Sequence, residues 1–85
     1  MTTEDIRAAV LASLADVAPE ADPATIDPAV PLQEQLDLDS MDFLAFLEGV
    51  AERTGVEVAE RDYEAVAALD GCVAYVADRS RTLPA

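Results

Sequence analysis

The sequence predicts an all-α fold: a small four-helix bundle of three main helices and one short helix, with a long loop between the first and second. Three observations predict it. Apolar residues recur three or four positions apart in separate stretches, the period of an amphipathic helix. A proline-punctuated segment, residues 19–39, interrupts that pattern after the first stretch. A short alternating apolar run, Val56 and Val58, lacks a pairing partner and reads as loop anchors. Eighty-five residues make one small domain, 1–85. A chain of this size buries roughly 60% of the surface its unfolded form exposes, enough for a modest core but not for a deep catalytic cleft as well.

Thr2, three residues before Asp5, opens the first helix as a cap. Ile6, Val10, Leu14 and Val17 form its apolar stripe, with Leu11 beside them, and Pro19 closes it. In the loop that follows, Asp22-Pro23 and Asp27-Pro28 favour turns. Ile26, Val30, Leu32, Leu36 and Leu38 are apolar anchors, so the loop is expected to be ordered and packed across the helices. Ser40 is expected to cap the second helix, whose buried stripe is Phe43, Phe46, Leu47, Val50 and Ala51. Gly55 ends it. A short third helix is expected over Arg61 to Ala68 with Tyr63 and Val66 inward. Asp70 is expected to cap a fourth, with Val73, Val76 and Tyr75 toward the core. Arg79 and Arg81 suit the negative end of that helix dipole, and the tail from Thr82 to Ala85 is expected to fray.

The charge is extreme. Eighteen acidic residues face five basic ones, all arginine, for a net charge of −13. Nucleic acids and anionic membrane surfaces need a cationic patch, so both are excluded as partners. A basic protein surface fits instead, reached by fast, salt-sensitive docking. The single cysteine, Cys72, allows no intrachain disulfide and reads as a buried structural thiol. The first residues are acidic where a signal peptide is basic, and the uncharged run from Ala8 to Ala15 is too short to span a bilayer. The expected form is a cytoplasmic monomer without a membrane span.

Leu38-Asp39-Ser40-Met41 is the most informative stretch. It sets a serine hydroxyl at a helix start, after a polar loop and among carboxylates. The chain has no histidine and no lysine, so no ordinary general base stands by to activate that hydroxyl. A serine displayed but not activated reads as a place where another enzyme attaches something. Enzyme is therefore the least favoured class, and no metal site is expected.

In its run of one helix, proline-containing loop, Leu36-Asp37-Leu38-Asp39-Ser40-Met41, acidic second helix, short third helix and final helix, the chain resembles the acyl carrier protein family. That family's Asp-Ser-Leu signature appears here as Asp39-Ser40-Met41. The resemblance implies that Ser40 anchors a covalent 4′-phosphopantetheine taken from coenzyme A, with Asp39 and Met41 flanking it. It implies a phosphopantetheinyl transferase as one partner and acyl-transferring or synthase enzymes with basic docking surfaces as the others. Glu34, Asp37, Asp42, Glu48 and Glu52, with Asp39, would meet arginine or lysine on those enzymes. Met41 and Leu44 would add a small apolar contact, although Met41 serves equally well as ordinary core. The pathway stays open: fatty acid, polyketide or another specialised biosynthesis. Asp37 replaces a common glycine of the family, Ala45 a common acid, Phe43 a smaller residue and Glu48 an apolar one.

Two rivals use the same residues. Asp37-x-Asp39 with Glu48 at position 12 imitates a calcium-binding EF-hand loop, but Met41 holds position 5, where an oxygen ligand belongs. Asp42 holds position 6, where the turn needs glycine. An acidic helical interaction module without a prosthetic group is the other.

Overall fold

The computed structural model describes residues 1–80. Four α-helices run over Thr3–Val17 (α1), Leu32–Gln35 (α2), Ser40–Thr54 (α3) and Leu69–Ser80 (α4). Two 3₁₀ segments join them at Pro23–Thr25 and Glu60–Val66. The three long helices and the seven-residue 3₁₀ segment are the expected bundle, and no strand occurs among the described residues, only an isolated bridge between Pro31 and Ala68. Arg81 and the tail from Thr82 to Ala85 lie outside the described residues.

α1 begins as its sequence dictates. The Asp5 amide donates to Thr2 Oγ1 at 3.1 Å, and the Thr2 amide donates back to Asp5 Oδ2 at 3.2 Å, a reciprocal capping box. Ile6, Val10 and Leu14 are buried against α3 and α4. Ser13 is also buried in this interface. Its hydroxyl donates to the Ala9 carbonyl and accepts from Arg53, which pairs with Asp16 at 3.0 Å.

The long connection is ordered by its own side chains. Asp22 caps the 3₁₀ segment through the Ala24 amide, and Asp27 closes a turn through the Ala29 amide. Gln35 then ties the loop to α2. Its amide oxygen accepts from the Asp27 amide, and its nitrogen donates to the carbonyls of Asp27 and Val30 at 2.8 and 2.9 Å. Of the anchors, Ile26, Leu32 and Leu38 are core, while Val30 and Leu36 are half-buried. The Leu32 amide donates to the Ala67 carbonyl and the Asp70 amide to that of Pro28, so the loop is bonded to the second half of the chain.

Three boundaries differ from expectation. Asp39, not Ser40, caps α3, because its carboxylate accepts the Asp42 amide at 2.8 Å and Ser40 becomes the first helical residue. The short third helix is a 3₁₀ segment, Glu60–Val66, rather than Arg61 to Ala68. Its three-residue turn sets Tyr63 and Val66 on one inward edge, which continues into the buried Leu69. α4 starts at Leu69, so Asp70 sits in its first turn instead of capping it. Tyr75 is half-buried and donates from its hydroxyl to Asp62 at 2.8 Å. The stretch from Asp37 to Glu48 is helical from Ser40 onward, which leaves no calcium loop there.

Candidate functional site

The approach to α3 is built residue by residue. Asp37 holds φ 54°, in the left-handed region, which aspartate enters more readily than most residues. That turn lets Leu38 drop into the core, and its amide donates to the Gln33 carbonyl at 3.2 Å. Asp39 is extended, with φ −84° and ψ 179°, and its carboxylate faces the first turn of α3. Ser40 follows as an exposed residue. No side chain among the described residues holds the Ser40 hydroxyl by a hydrogen bond, and the nearest carboxylate in sequence, Asp39, is engaged with the Asp42 amide. The arrangement offers the hydroxyl to an incoming reagent and gives it no base of its own.

The face above Ser40 is part apolar and part acidic. Met41 is 79% exposed and Leu44 42%, which removes Met41 from the core. Glu48 and Glu52 are exposed about 12 and 18 Å along the axis from Ser40, on the same stripe as Met41 at 100° per residue. Asp37 and Asp39 are exposed beside Ser40, and Asp42 is half-buried. Glu34 is exposed on α2, six residues before Ser40 in sequence. The structure thus gathers Asp37, Asp39, Ser40, Met41 and Asp42 at one end of α3 and strings Leu44, Glu48 and Glu52 along it.

Beside Ser40 lies a cleft of about 320 Å³ that sequence reasoning missed. Phe43, Leu44, Tyr63 and Ala67 line it, together with Gln33, Ser40 and Glu64. The only signal in the sequence was the three-residue spacing of Tyr63 and Val66, which aims one edge of the 3₁₀ segment at α3. The Gln35 ties were equally invisible, since a glutamine in a polar loop has no distinguishing pattern.

An exposed hydroxyl at a helix start, with an adjoining apolar cleft, fits a flexible phosphate-linked group. A family model described as the phosphopantetheine attachment site matches residues 8–76. The chain belongs to this family. Its domains are the attachment site of covalent 4′-phosphopantetheine and act as carriers rather than catalysts. This phosphopantetheine-attachment domain therefore works with the transferases that install the group and with synthase-type enzymes in general. No curated protein matches the chain. No helix among the described residues is long and apolar enough to cross a membrane.

Proposed function

We propose that Ser40 carries the 4′-phosphopantetheine and that the domain is an acyl carrier protein. It would hold intermediates of fatty acid, polyketide or another specialised biosynthesis as thioesters. One observation carries the choice of residue. The chain has three serines. Ser13 is 1% exposed and bonded within α1, and the Ser80 hydroxyl is enclosed, so Ser40 is the serine a transferase can reach.

The bound group supplies a terminal thiol for thioester formation. The chain's own residues present it. Asp39 fixes the start of α3 and so fixes where the Ser40 oxygen points. The helix N-terminus favours a phosphodiester there by about 0.3–1 kcal/mol. A neighbouring carboxylate opposes it by up to about 1 kcal/mol in water. Asp39 and Asp42 together offset the helix, so the covalent bond alone retains the arm. Met41 and Leu44 supply the apolar centre of the docking face. Glu34, Asp37, Asp42, Glu48 and Glu52 supply its acidic surround, suited to basic patches on the transferase and on acyl-transferring enzymes. The domain works as a monomer in the cytoplasm.

Incubation with coenzyme A and a broad-specificity phosphopantetheinyl transferase tests this. Intact-mass spectrometry should show a gain of one phosphopantetheine on the wild type and none on Ser40→Ala. A Ser40→Ala protein that still gains the mass would refute the assignment.

A further inference from the structure

We propose that Met41 is a site of oxidative modification, and that a peroxide converting its thioether to the sulfoxide slows attachment at Ser40. The inference rests on the carrier reading above. It concerns one atom, the sulfur. An apolar contact beside Ser40 needs only bulk, and leucine, the residue of the family signature, supplies that. Methionine adds a sulfur that oxidants attack.

Position and exposure carry it. Met41 is the second residue of α3 and the chain neighbour of Ser40, so an enzyme that reaches the serine oxygen lies against it. Among the described residues, Met1, Met41 and Leu44 are the exposed large apolar side chains. Met41 is 79% exposed and Leu44 42%, so the methionine supplies the larger share of the apolar surface this end of α3 offers a partner. The other sulfur is protected. Cys72 is 0% exposed, and burial pushes its thiol up to about 12, which leaves no thiolate for an oxidant at neutral pH. Peroxide is thereby directed to the two methionines, and of these Met41 is the chain neighbour of Ser40.

The step balances with hydrogen peroxide alone. A sulfur lone pair attacks one peroxide oxygen, the O–O bond breaks and an S–O bond forms. The proton on the transferred oxygen passes to the other oxygen, which leaves as water. Sulfur is oxidised by two electrons and the peroxide is reduced by two. The product is a polar sulfoxide with a strong acceptor oxygen. On the free chain water solvates that oxygen, so the fold is undisturbed. Under a docked enzyme the oxygen sheds its water against a surface suited to an apolar side chain, and burying an unmet acceptor is unfavourable. The effect therefore falls on docking rather than on folding.

The test treats the full wild-type chain and Met41→Leu with hydrogen peroxide, locates the added oxygen by peptide mass, and measures loading from coenzyme A by the transferase. Each protein is compared with its own untreated form. The wild type should gain oxygen at Met41 and Met1 and none at Cys72. Its kcat/KM for loading should then fall by about tenfold, mainly through KM, the lower end of what burying one such side chain is worth. Met41→Leu should gain oxygen at Met1 alone and keep its untreated rate. Methionine sulfoxide reductases for both epimers, with a dithiol, should return the oxidised wild type to its starting rate. Backbone amide shifts on oxidation should be confined to the first turn of α3 and the residues beside Met1. Unchanged loading of protein that carries the Met41 sulfoxide overturns the proposal. So does an equal loss in treated Met41→Leu, or resistance of Met41 to peroxide while Met1 oxidises. Removal of the oxygen by the reductases without recovery of loading, or amide shifts spread through the core, overturns it too. Absence of any phosphopantetheine on the untreated wild type removes the carrier reading itself, and this proposal with it.

Discussion

At the scale of single residues, the division of labour between Asp39 and Ser40 is the main point. Sequence statistics allow either to cap a helix. The structure gives the cap to aspartate and leaves the serine oxygen unencumbered, which suits the attachment role proposed for Ser40. The two roles separate experimentally. Asp39→Ala should cost about 1 kcal/mol in urea denaturation by orphaning the Asp42 amide, while Asp39→Ser should restore most of it. Equal stability of Asp39→Ala and wild type would contradict the capping role. Cys72 makes the opposite case, a reactive atom type kept out of reach. Burial pushes its thiol from 9.0 up to about 12. The folded state therefore holds that proton while the unfolded chain releases it. Stability tied to the thiol is complete below about pH 9 and falls between about 9 and 12, by up to about 1.4 kcal/mol per pH unit. Urea midpoints at pH 8 and pH 10.5 check this: the wild type should lose more stability over that interval than Cys72→Ala, and parallel losses would contradict it.

At the scale of elements, the tight seat of the 3₁₀ segment on α4 shapes the cleft wall. A Cβ on Gly71 would overlap the Ala65 carbonyl oxygen. Gly71→Ala gains about 1 kcal/mol of helix propensity but forces the segment outward, at about 1–3 kcal/mol. The expected result is a net destabilisation of up to about 2 kcal/mol with shifted Tyr63 and Ala65 resonances, and a stabilised variant would show that the approach is relaxed. The helices were legible in the sequence because Ile6-Val10-Leu14 and Phe43-Phe46-Leu47-Val50 repeat at a helical period and Thr2, Pro19 and Gly55 mark ends. The left-handed turn at Asp37 was legible only through the resemblance, which sets it where the family commonly has glycine. The third helix misled, since four- and three-residue turns place Tyr63 and Val66 on nearly the same side. The cleft was hidden for a related reason: it forms between α3 and the 3₁₀ segment, and no local pattern encodes a gap between two elements. The Gln35 ties need a loop fold before their partners exist.

At the scale of the whole molecule, charge decides how the domain meets others. The ion pairs Arg7–Asp70, Arg53–Asp16 and Arg79–Asp62 are all partly exposed and worth about 0–1 kcal/mol each. They leave the net −13 unchanged, because that figure already counts every arginine. Glu48 and Glu52 extend that field along α3, away from Ser40. The double variant Glu48→Lys, Glu52→Lys should lower kcat/KM for loading by the transferase several-fold at low salt and flatten its salt dependence, with kcat little changed. An unchanged salt profile would remove these residues from the docking face. All of this depends on where the arm is fixed. Proteolysis of the loaded protein followed by peptide fragmentation measures that most directly. The account predicts the phosphopantetheine on the peptide containing Ser40, at that residue and no other. Its appearance on a threonine, on Ser13 or on Ser80 would contradict the account.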